Sequence, residues 1–251
     1  MKVLAINLER SGTRWQLIYD SAIANDIEIE RIEGVNGHLI PREEWRDVDF
    51  MFFSTFHGRS ILPGEYGCYR SHLLALDRII EKKLPWAIIA EDDILLNADV
   101  LRDTEAVLAT DPTIDALKLV NSRYGGFMEN GKLENGRTYG ICTMGPQGSA
   151  ACYAVTLEGA QKIRAALARM RLPWDMALER GWAGGYRILT TGQNWINFNA
   201  KRSDSQINTR AQGYTHTRYF FLWRLPTAIF RAVEIYRRFA YAFGQKRGRQ
   251  D

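Results

Sequence analysis

Apolar residues along the chain follow two patterns, one typical of buried strands and one typical of amphipathic helices. Apolar runs predict strands over residues 2–8, 27–32, 86–90, 116–120 and 150–155. Helical spacing predicts helices over 11–25, 71–83 and 97–109, and a further helix capped by Thr156. Strands that alternate with helices predict an α/β fold with a mostly parallel central sheet flanked by helices.

Two long segments have no clean period. Residues 41–63 are predicted to form a loop with short helical pieces, and residues 121–149, which are rich in Gly and polar residues, a longer loop. A loop of that length in a compact domain is usually functional or disordered. A turn is expected at 34–37, where the sequence reads Gly-Val-Asn-Gly.

The strand predicted over 86–90 ends in three consecutive carboxylates, Glu91, Asp92 and Asp93. Because neighbouring carboxylates repel one another, a positive group should offset them, and a hard divalent cation fits best. Ligands of open α/β sheets bind at the carboxyl ends of the strands. Strand alternation should point Glu91 and Asp93 one way and Asp92 the other. The triplet predicts a site for a metal and a nucleotide diphosphate, with a solvated turn or an acidic helix start as the alternative.

The composition is that of a globular protein with a sizeable core, since 46% of the 251 residues are apolar and 25% are charged. Three widely spaced cysteines indicate neither a disulfide framework nor a zinc site, and reduced thiols in a cytosolic protein are the better interpretation. The N-terminal apolar stretch is too short for a secretory signal, and no run approaches the ~20 apolar residues of a membrane span. We therefore expect a cytoplasmic protein, either soluble or peripheral on the inner face of the cell membrane.

Polar residues also follow the first predicted strand. Asn7, Arg10 and Arg14 lie where this strand turns into the first helix. A helix start offers free N–H groups and arginines pair with phosphate, so this position suits a nucleotide. Solvated helix charges are the alternative interpretation of the two arginines.

Residues 63–72, Pro-Gly-Glu-Tyr-Gly-Cys-Tyr-Arg-Ser-His, form a second polar stretch. Its two glycines allow the backbone to turn tightly or to approach a ligand closely. Ser71 and His72 are then expected to open a helix. A single histidine near a helix start is more often structural than catalytic.

The third stretch is Leu-Pro-Trp-Asp at 172–175, followed by Glu179. A carboxylate at Asp175 can act as a general base toward an acceptor hydroxyl, and Trp174 can stack on a sugar face. The alternative is that Asp175 caps a short helix over 176–180.

Taken together, these blocks resemble glycosyltransferase family 25, the lipopolysaccharide and lipooligosaccharide biosynthesis glycosyltransferases. Their order across residues 1–207 is more specific than any one block, and the Gly-Glu-x-Gly-Cys-x-x-Ser-His block is itself quite specific. The blocks are Ile6-Asn7-Leu8 with Arg10 and Arg14, Gly64-Glu65-x-Gly67-Cys68-x-x-Ser71-His72-Leu73, Ile89-Ala-Glu91-Asp92-Asp93, Ala151-Cys-Tyr153-Ala-Val-Thr, Pro173-Trp-Asp175 and Ser205-Gln-Ile207.

The resemblance implies a GT-A-like domain over residues 1–213 that transfers a sugar, often galactose, from a UDP-sugar with inversion to a lipopolysaccharide, lipooligosaccharide or other glycan acceptor. It implies that Mn²⁺ or Mg²⁺ binds Asp93, assisted by Glu91, and bridges the diphosphate oxygens. Asp175 matches the family's Pro-x-Asp position and is the implied catalytic base. The implied donor-binding residues are Asn7, Arg10, Arg14, Ser71, His72, Glu91 and Asp92.

Two positions depart from the family pattern. Family members often carry an Asp before the Gly of the early turn, where this chain has Asn36-Gly37. They tend to have an aliphatic residue before the later Asp, where this chain has Trp174. The first departure puts a charge role at position 36 in doubt, and the second bears on acceptor preference.

The basic charge lies in the C-terminal extension, residues 214–251, which carries eight Lys or Arg and two acidic residues in a chain of net charge +4. The pattern there predicts a helix with an apolar face and arginines on another face, typical of an interfacial helix on an anionic membrane. The alternative is a helix packed on the domain with a frayed basic end. No nucleic-acid partner is expected, because the basic residues form no recognisable binding module. The apolar face comprises Ile229, Val233, Tyr236, Ala240 and Phe243.

Two other classes of protein remain as alternatives. A non-catalytic relative that binds glycan or membrane would have no need to keep an electrostatically costly acidic triplet. A nucleotidyltransferase would need carboxylates and a divalent ion, but it would also show a basic Gly-rich phosphate loop near the N-terminus, which this sequence lacks. The identity of the sugar and of the acceptor depends on pocket shape, mostly in segments 41–63 and 121–149.

Overall fold

The computed structural model describes residues 2–199 and 225–247, with side chains up to Gln245. The strands of this part of the chain are β1 (Lys2–Asn7), β2 (Glu28–Glu33), β3 (Trp86–Glu91), β4 (Ile94–Leu95), β5 (Ala116–Lys118), β6 (Phe127–Lys132), β7 (Thr138–Cys142), β8 (Cys152–Thr156), β9 (Ile188–Thr191) and β10 (Asn197–Phe198). Eight of them form one sheet in the order β2-β1-β3-β8-β5-β9-β7-β6, and β4 pairs with β10.

Most strands of the main sheet share one direction. Strand β1 pairs in parallel with β2 and β3, and β5 pairs in parallel with β9. Strands β8 and β7 run against their neighbours, so six of the eight strands point the same way. Ile6 is in register with both Ile32 and Glu91, which places the carboxyl ends of β1, β2 and β3 at one edge. The predicted α/β class with a mostly parallel sheet is confirmed.

Helices cover both faces of the sheet. Helices α3 and α5 pack on the face that carries Leu4 and Ile89, and α1 and α4 pack on the face that carries Val3 and Ile88. This division follows from the alternation of side chains along each strand. The helices are α1 (Gly12–Ile23), α2 (Phe50–Phe52), α3 (Pro63–Glu81), α4 (Ala98–Thr110), α5 (Leu157–Ala166), α6 (Trp174–Leu178), α7 (Gly181–Gly184) and α8 (Leu225–Arg247).

Two helix starts lie where the sequence predicts them. The Asn97 side chain accepts a hydrogen bond from the backbone N–H of Asp99 at 2.8 Å, and the Thr156 hydroxyl accepts one from the N–H of Gly159 at 3.0 Å. Each side chain satisfies an N–H group that has no partner within its own helix.

The prediction that Ser71 and His72 open a helix is wrong. Helix α3 begins at Pro63, so both residues lie in its middle. Proline suits a first helical position, and the Glu65 carboxylate accepts a hydrogen bond from the backbone N–H of Leu62 at 3.0 Å. These start signals outweigh the low helix propensity of Gly64 and Gly67.

The two segments without a period have different structures. Residues 41–63 contain short helical pieces, as predicted, at Arg42–Glu44, Phe50–Phe52 and Phe53–His57. Segment 121–149 is not a simple loop, because it contains the antiparallel hairpin β6–β7 at the sheet edge. Strand β6 is mostly half-exposed, so it lacks the apolar run that marks a buried strand.

The predicted C-terminal helix is confirmed as α8, which packs on the domain. The remainder of the 214–251 extension and the Ser205-Gln-Ile207 block lie outside the described residues. Among the helices of the described chain, none combines the length and apolarity required to cross a bilayer.

Candidate active site

A cleft of about 650 Å³ opens at the carboxyl ends of β1 and β3. This volume falls in the range of small-molecule sites in proteins. The loop after β1 and the acidic triplet form one wall, and the middle of α3 and the start of α6 form another. The sequence-predicted site residues that line the cleft are Arg10, Arg14, Ser71, His72, Glu91, Asp92, Asp93 and Asp175. The fold therefore brings together residues that are up to 165 positions apart in the sequence.

The acidic triplet does not alternate as a strand would. Strand β3 ends at Glu91, and Asp92 and Asp93 form a turn. All three residues line the cleft. The carboxylates of Asp92 and Asp93 both lie within 4.0 Å of Arg14 Nη2, so the expectation that Asp92 points away from Asp93 is wrong. Strand β10 closes over this turn, since the N–H of Asn199 donates to the carbonyl of Asp93 at 2.8 Å.

Asp92 is held by two of the predicted donor-binding residues. Asn7 at the end of β1 donates from Nδ2 to Asp92 Oδ2 at 2.6 Å, and Arg14 of α1 forms an ion pair with Asp92. Burial raises the pKa of Asp92, while Arg14 and the Asn7 hydrogen bond oppose that rise. The positive group that the triplet requires is thus supplied in part by the protein itself. Arg14 lies farther from Asp93, with Nη2 4.0 Å from Oδ2.

His72 lies at the base of the cleft and is 1% exposed. Its Nδ1 lies 3.1 Å from the Tyr153 hydroxyl, and its Nε2 lies 3.6 Å from Glu91 Oε1. Its ring stacks on Trp174 with centroids 4.9 Å apart. Trp174 is itself buried at 2% exposure, so it offers no free face to a sugar and serves to fix the imidazole.

Ser71 and Gly67 attach α3 to the loop that follows β2. The Ser71 hydroxyl donates to the carbonyl of Gly67 at 2.7 Å and accepts from the N–H of Val35 at 2.8 Å. A Cβ on Gly67 would lie 2.3 Å from the Val35 carbonyl oxygen and 2.7 Å from the Gly37 nitrogen. Gly67 therefore allows a close approach of two backbone segments. This close approach at Gly67 shapes the cleft wall.

Asp175 lies in the first turn of α6, where its Oδ1 accepts a hydrogen bond from the N–H of Met176 at 2.9 Å. Burial raises the pKa of Asp175, and the negative charge of Glu179 raises it further, against a smaller opposing effect of Lys118. Gly148 closes the other side of this carboxylate, since a Cβ there would lie 3.9 Å from Asp175 Oδ2. A carboxylate whose pKa is raised and that faces a cleft has the properties of a general base.

Glu179 organises the loop beside Asp175, a role that spacing alone did not reveal. It accepts hydrogen bonds from the N–H groups of Gln147 and Gly148 at 2.9 and 2.8 Å. It also pairs with Lys118 Nζ at 3.1 Å and with Arg238 Nη2 of α8 at 3.1 Å. No periodic signal in the sequence marks Glu179, because its four partners come from distant parts of the chain.

Two further groups line the cleft without a sequence signal. They are Ser122 and Arg123, which belong to the segment predicted as a loop. Arg10 and Arg123 are exposed, so both guanidinium groups are accessible to a phosphate that enters from solvent.

The residues of the cleft fit a divalent cation. Glu91, Asp92 and Asp93 bring three carboxylate groups to the cleft, and hard cations prefer carboxylate oxygens. Glu91 also belongs to a group in which Cys68, His72 and Glu91 each present one ligand atom within 4.8 Å of the others. Cys68, Cys142 and Cys152 form no disulfide in the part of the chain that the structure describes.

The model of glycosyltransferase family 25 (LPS biosynthesis protein) matches residues 1–178, a range that includes the acidic triplet and Asp175. The chain belongs to glycosyltransferase family 25. A glycosyltransferase 25 family member of Anopheles gambiae is 26% identical over 166 residues, which is 64% of this chain and 28% of that protein. Procollagen galactosyltransferase 2 of Homo sapiens is 23% identical over 97 residues, which is 37% of this chain and 16% of that protein. The family 25 chain thus spans less than a third of the length of these relatives.

Two solved structures resemble the family 25 chain weakly. A glycosyltransferase involved in the glycosylation of the major capsid of PBCV-1 has a TM-score of 0.40 and 10% identity, with 75% of this chain and 79% of that chain covered. A CMP:2-keto-3-deoxy-manno-octonic acid synthetase complexed with CTP has a TM-score of 0.42 and 12% identity, with 85% and 98% covered. Similarity at this level carries no weight for function.

Proposed function

We propose that this family 25 chain is a metal-dependent, inverting glycosyltransferase that moves a sugar from a UDP-sugar to a hydroxyl of a lipopolysaccharide, lipooligosaccharide or other glycan. The observation that carries the proposal is that one cleft holds the acidic triplet, three arginines and Asp175. Galactose is the sugar we favour, because a matched relative is a procollagen galactosyltransferase. The family description supports a lipopolysaccharide-type acceptor.

In the proposed mechanism, Asp93 and Glu91 would hold Mn²⁺ or Mg²⁺, which would supply positive charge to the diphosphate and to the UDP leaving group. Arg10 and Arg14 pair with phosphate oxygens at the start of α1. The wall against which the donor lies is formed and supported by Asn7, Ser71, His72 and Asp92. Hydrogen bonds that exist before the donor arrives hold two of these residues in place, Asp92 through Asn7 and His72 through Tyr153.

Asp175 acts as the base in this proposal. It takes the proton of the acceptor hydroxyl while the hydroxyl oxygen attacks the anomeric carbon. The bond between that carbon and the phosphate oxygen breaks with its electron pair going to UDP, so one displacement inverts the configuration. The raised pKa brings Asp175 closer to the pH of the reaction, where proton transfer to a general base is most effective.

The proposal is tested by titrating UDP-galactose, UDP-glucose and UDP-N-acetylglucosamine into the protein with Mn²⁺, and by measuring donor hydrolysis. We expect at least one donor to bind and to be hydrolysed, and both signals to be lost in Asp93→Asn. Asp99→Asn is the matched control, since that carboxylate is exposed at the start of α4. Failure of every UDP-sugar to bind, or an Asp93→Asn variant that binds and turns over normally, would overturn the proposal. Glycan binding without any UDP-sugar binding would instead favour the non-catalytic relative.

A further inference from the structure

Helix α8 packs on the domain through its polar face. Glu234 accepts two hydrogen bonds from Arg180, at 2.5 and 3.1 Å, and Arg238 donates to the buried Glu179 at 3.1 Å. Tyr241 accepts from the N–H of Ile188 at 3.2 Å. We name this side of the helix the inner face; it comprises Thr227, Phe230, Glu234, Arg238, Tyr241 and Gln245. Contacts along five helical turns fix the rotation of α8 about its axis.

That rotation turns several large apolar residues of α8 toward solvent, while Phe230 and Tyr241 stay on the domain. Ile229 is 58% exposed, Tyr236 75% and Phe243 52%. At 100° per residue, these side chains lie opposite the inner face. We name them the outer stripe, which comprises Leu225, Ile229, Val233, Tyr236, Ala240 and Phe243. The outer stripe extends over about 27 Å, because 18 residues separate its ends at 1.5 Å each.

The orientation is the reverse of that in an ordinary amphipathic helix, which buries its apolar side against the core. An exposed apolar patch of this size marks an interaction surface in a soluble domain. The predicted alternative, a helix that simply packs on the domain, accounts for the inner face. It leaves the outer stripe without an explanation.

The charge of α8 indicates what covers the outer stripe. Glu234 is the single acidic residue of this helix, and it is engaged by Arg180. The helix sequence also contains Arg231, Arg237, Arg238, Lys246 and Arg247, so its net charge is +4. Two such helices would repel each other, which disfavours a second copy of the chain. An apolar stripe within a positive field matches the surface of a bilayer that contains anionic lipid.

We propose that the outer stripe of α8 inserts into the interfacial region of an anionic membrane, with the helix axis parallel to the surface. This proposal goes beyond glycosyl transfer and does not depend on it. Arg237 is exposed and lies beside Val233 of the outer stripe, where it meets lipid phosphates. The inner face remains on the domain, so the membrane contacts a helix that is already folded and no ordering of the chain is required on binding.

The test is cosedimentation of the full chain with vesicles of phosphatidylethanolamine and phosphatidylglycerol, compared with vesicles of phosphatidylcholine. We expect the protein to pellet with the anionic vesicles and to be released by high salt. The triple variant Ile229→Ser, Tyr236→Ser, Phe243→Ser should bind at least about a hundredfold more weakly, since three apolar side chains no longer leave water. Its thermal unfolding midpoint should stay near that of the unmodified chain, because these side chains are exposed in the folded protein.

Matched controls separate the outer stripe from exposed apolar residues in general. Ile23 on α1 is 61% exposed and Leu39 is 78% exposed, so Ile23→Ser with Leu39→Ser removes comparable exposed apolar surface elsewhere. This double variant should bind vesicles normally. An unmodified chain that stays in the supernatant, or a triple variant that binds equally well, would overturn the proposal. It would also be overturned if light scattering showed a dimer that the triple variant abolishes, because the outer stripe would then be a contact between two copies.

Discussion

Arg238 of α8 and Glu179 form an ion pair inside the protein, with Arg238 Nη2 3.1 Å from Glu179 Oε2. The same carboxylate accepts hydrogen bonds from the N–H groups of Gln147 and Gly148, and Gly148 borders Asp175 in the cleft. The C-terminal helix is therefore connected to the candidate catalytic base by one buried side chain. Burial disfavours the charged form of Glu179, but Lys118 and Arg238 outweigh that effect and lower its pKa.

We expect Glu179→Ala to destabilise the protein by about 3–5 kcal/mol, because it leaves Lys118 and Arg238 as buried charges without their partner. Chemical denaturation at pH 7 measures this loss. Since the folded-state pKa of Glu179 is lowered, the stabilisation is complete above its ordinary value of 4.5 and disappears as pH falls through the lower folded-state value. Glu158→Ala is the control, because that carboxylate is exposed and pairs with Lys162 on the surface of α5. A change larger than about 1 kcal/mol in the control, or a smaller one in Glu179→Ala, would contradict the structural role.

Asp175→Asn should make the protein more stable at neutral pH and nearly inactive. The raised pKa of Asp175 means that its ionised form is disfavoured in the folded state, by burial first and by Glu179 second. A neutral amide removes that penalty, so the thermal midpoint should rise. Loss of a general base should lower kcat by about 10²–10⁴ with the donor KM little changed.

The pH dependence distinguishes this explanation from a general packing effect. Because the pKa of Asp175 is raised in the folded state, the unmodified protein loses stability as pH rises from the ordinary value of 3.8 through the folded-state value. The stability advantage of Asp175→Asn should therefore be greatest at neutral pH and should vanish below pH 3.8. Asp99→Asn, on an exposed carboxylate, should show no such trend. A stability gain that is constant with pH would argue against a penalty of ionisation at Asp175.

Much of the fold could be predicted from the sequence because buried strands and amphipathic helices leave periodic signals. Asn97 and Thr156 were identifiable as caps, since an N-cap depends on residues within the next three positions. The hairpin β6–β7 was not, because β6 lies at the sheet edge and carries no apolar run. The start of α3 was missed because two glycines masked the combined signal of Pro63 and Glu65.

Some residues of the candidate site could likewise be predicted from the sequence, and others could not. The triplet and Asp175 stood out because charge next to an apolar run is unusual, and the family resemblance linked them. Glu179 and Arg123 did not stand out, since their importance depends on tertiary partners. The arrangement of Asp92 was mispredicted because strand alternation was applied one residue beyond the end of β3.

Gly67→Ala and Gly64→Ala should have opposite effects although both glycines lie near the start of α3. A Cβ at Gly67 would lie 2.3 Å from the Val35 carbonyl oxygen, so the loop after β2 must move away. A Cβ at Gly64 meets nothing closer than His38 Nε2 at 3.8 Å. We expect Gly67→Ala to cost about 1–3 kcal/mol and to weaken donor binding. Gly64→Ala should be neutral or stabilising by up to about 1 kcal/mol, since alanine favours the helix.

Denaturant titrations of both variants measure the difference, and UDP-sugar titration reports the state of the cleft wall. Equal stability of the two variants would mean that the loop after β2 adjusts without cost. In that case the contact between Gly67 and Gly37 would not define the shape of the wall.

Arg14→Gln should make the stability of the protein depend on Mn²⁺. Arg14 pairs with Asp92, whose pKa is already raised by burial and by Glu91 among other effects. Without the guanidinium, we expect a loss of up to about 3–5 kcal/mol in the presence of EDTA, because a largely buried carboxylate loses its partner. A cation at Asp93 and Glu91 would supply positive charge to the same cluster. Mn²⁺ should therefore raise the thermal midpoint of Arg14→Gln more than that of the unmodified chain.

Arg102→Gln is the matched control for Arg14→Gln, since Arg102 pairs with Asp99 where both side chains are exposed. It should change stability by less than about 1 kcal/mol, with the same small response to Mn²⁺ as the unmodified chain. Thermal scans of all three proteins with EDTA, Mn²⁺ and Mg²⁺ provide the comparison. If Mn²⁺ shifts the midpoint of Arg14→Gln no more than that of Arg102→Gln, the cation does not reach the carboxylates beside Arg14, and the assignment of Asp93 as a metal ligand is wrong.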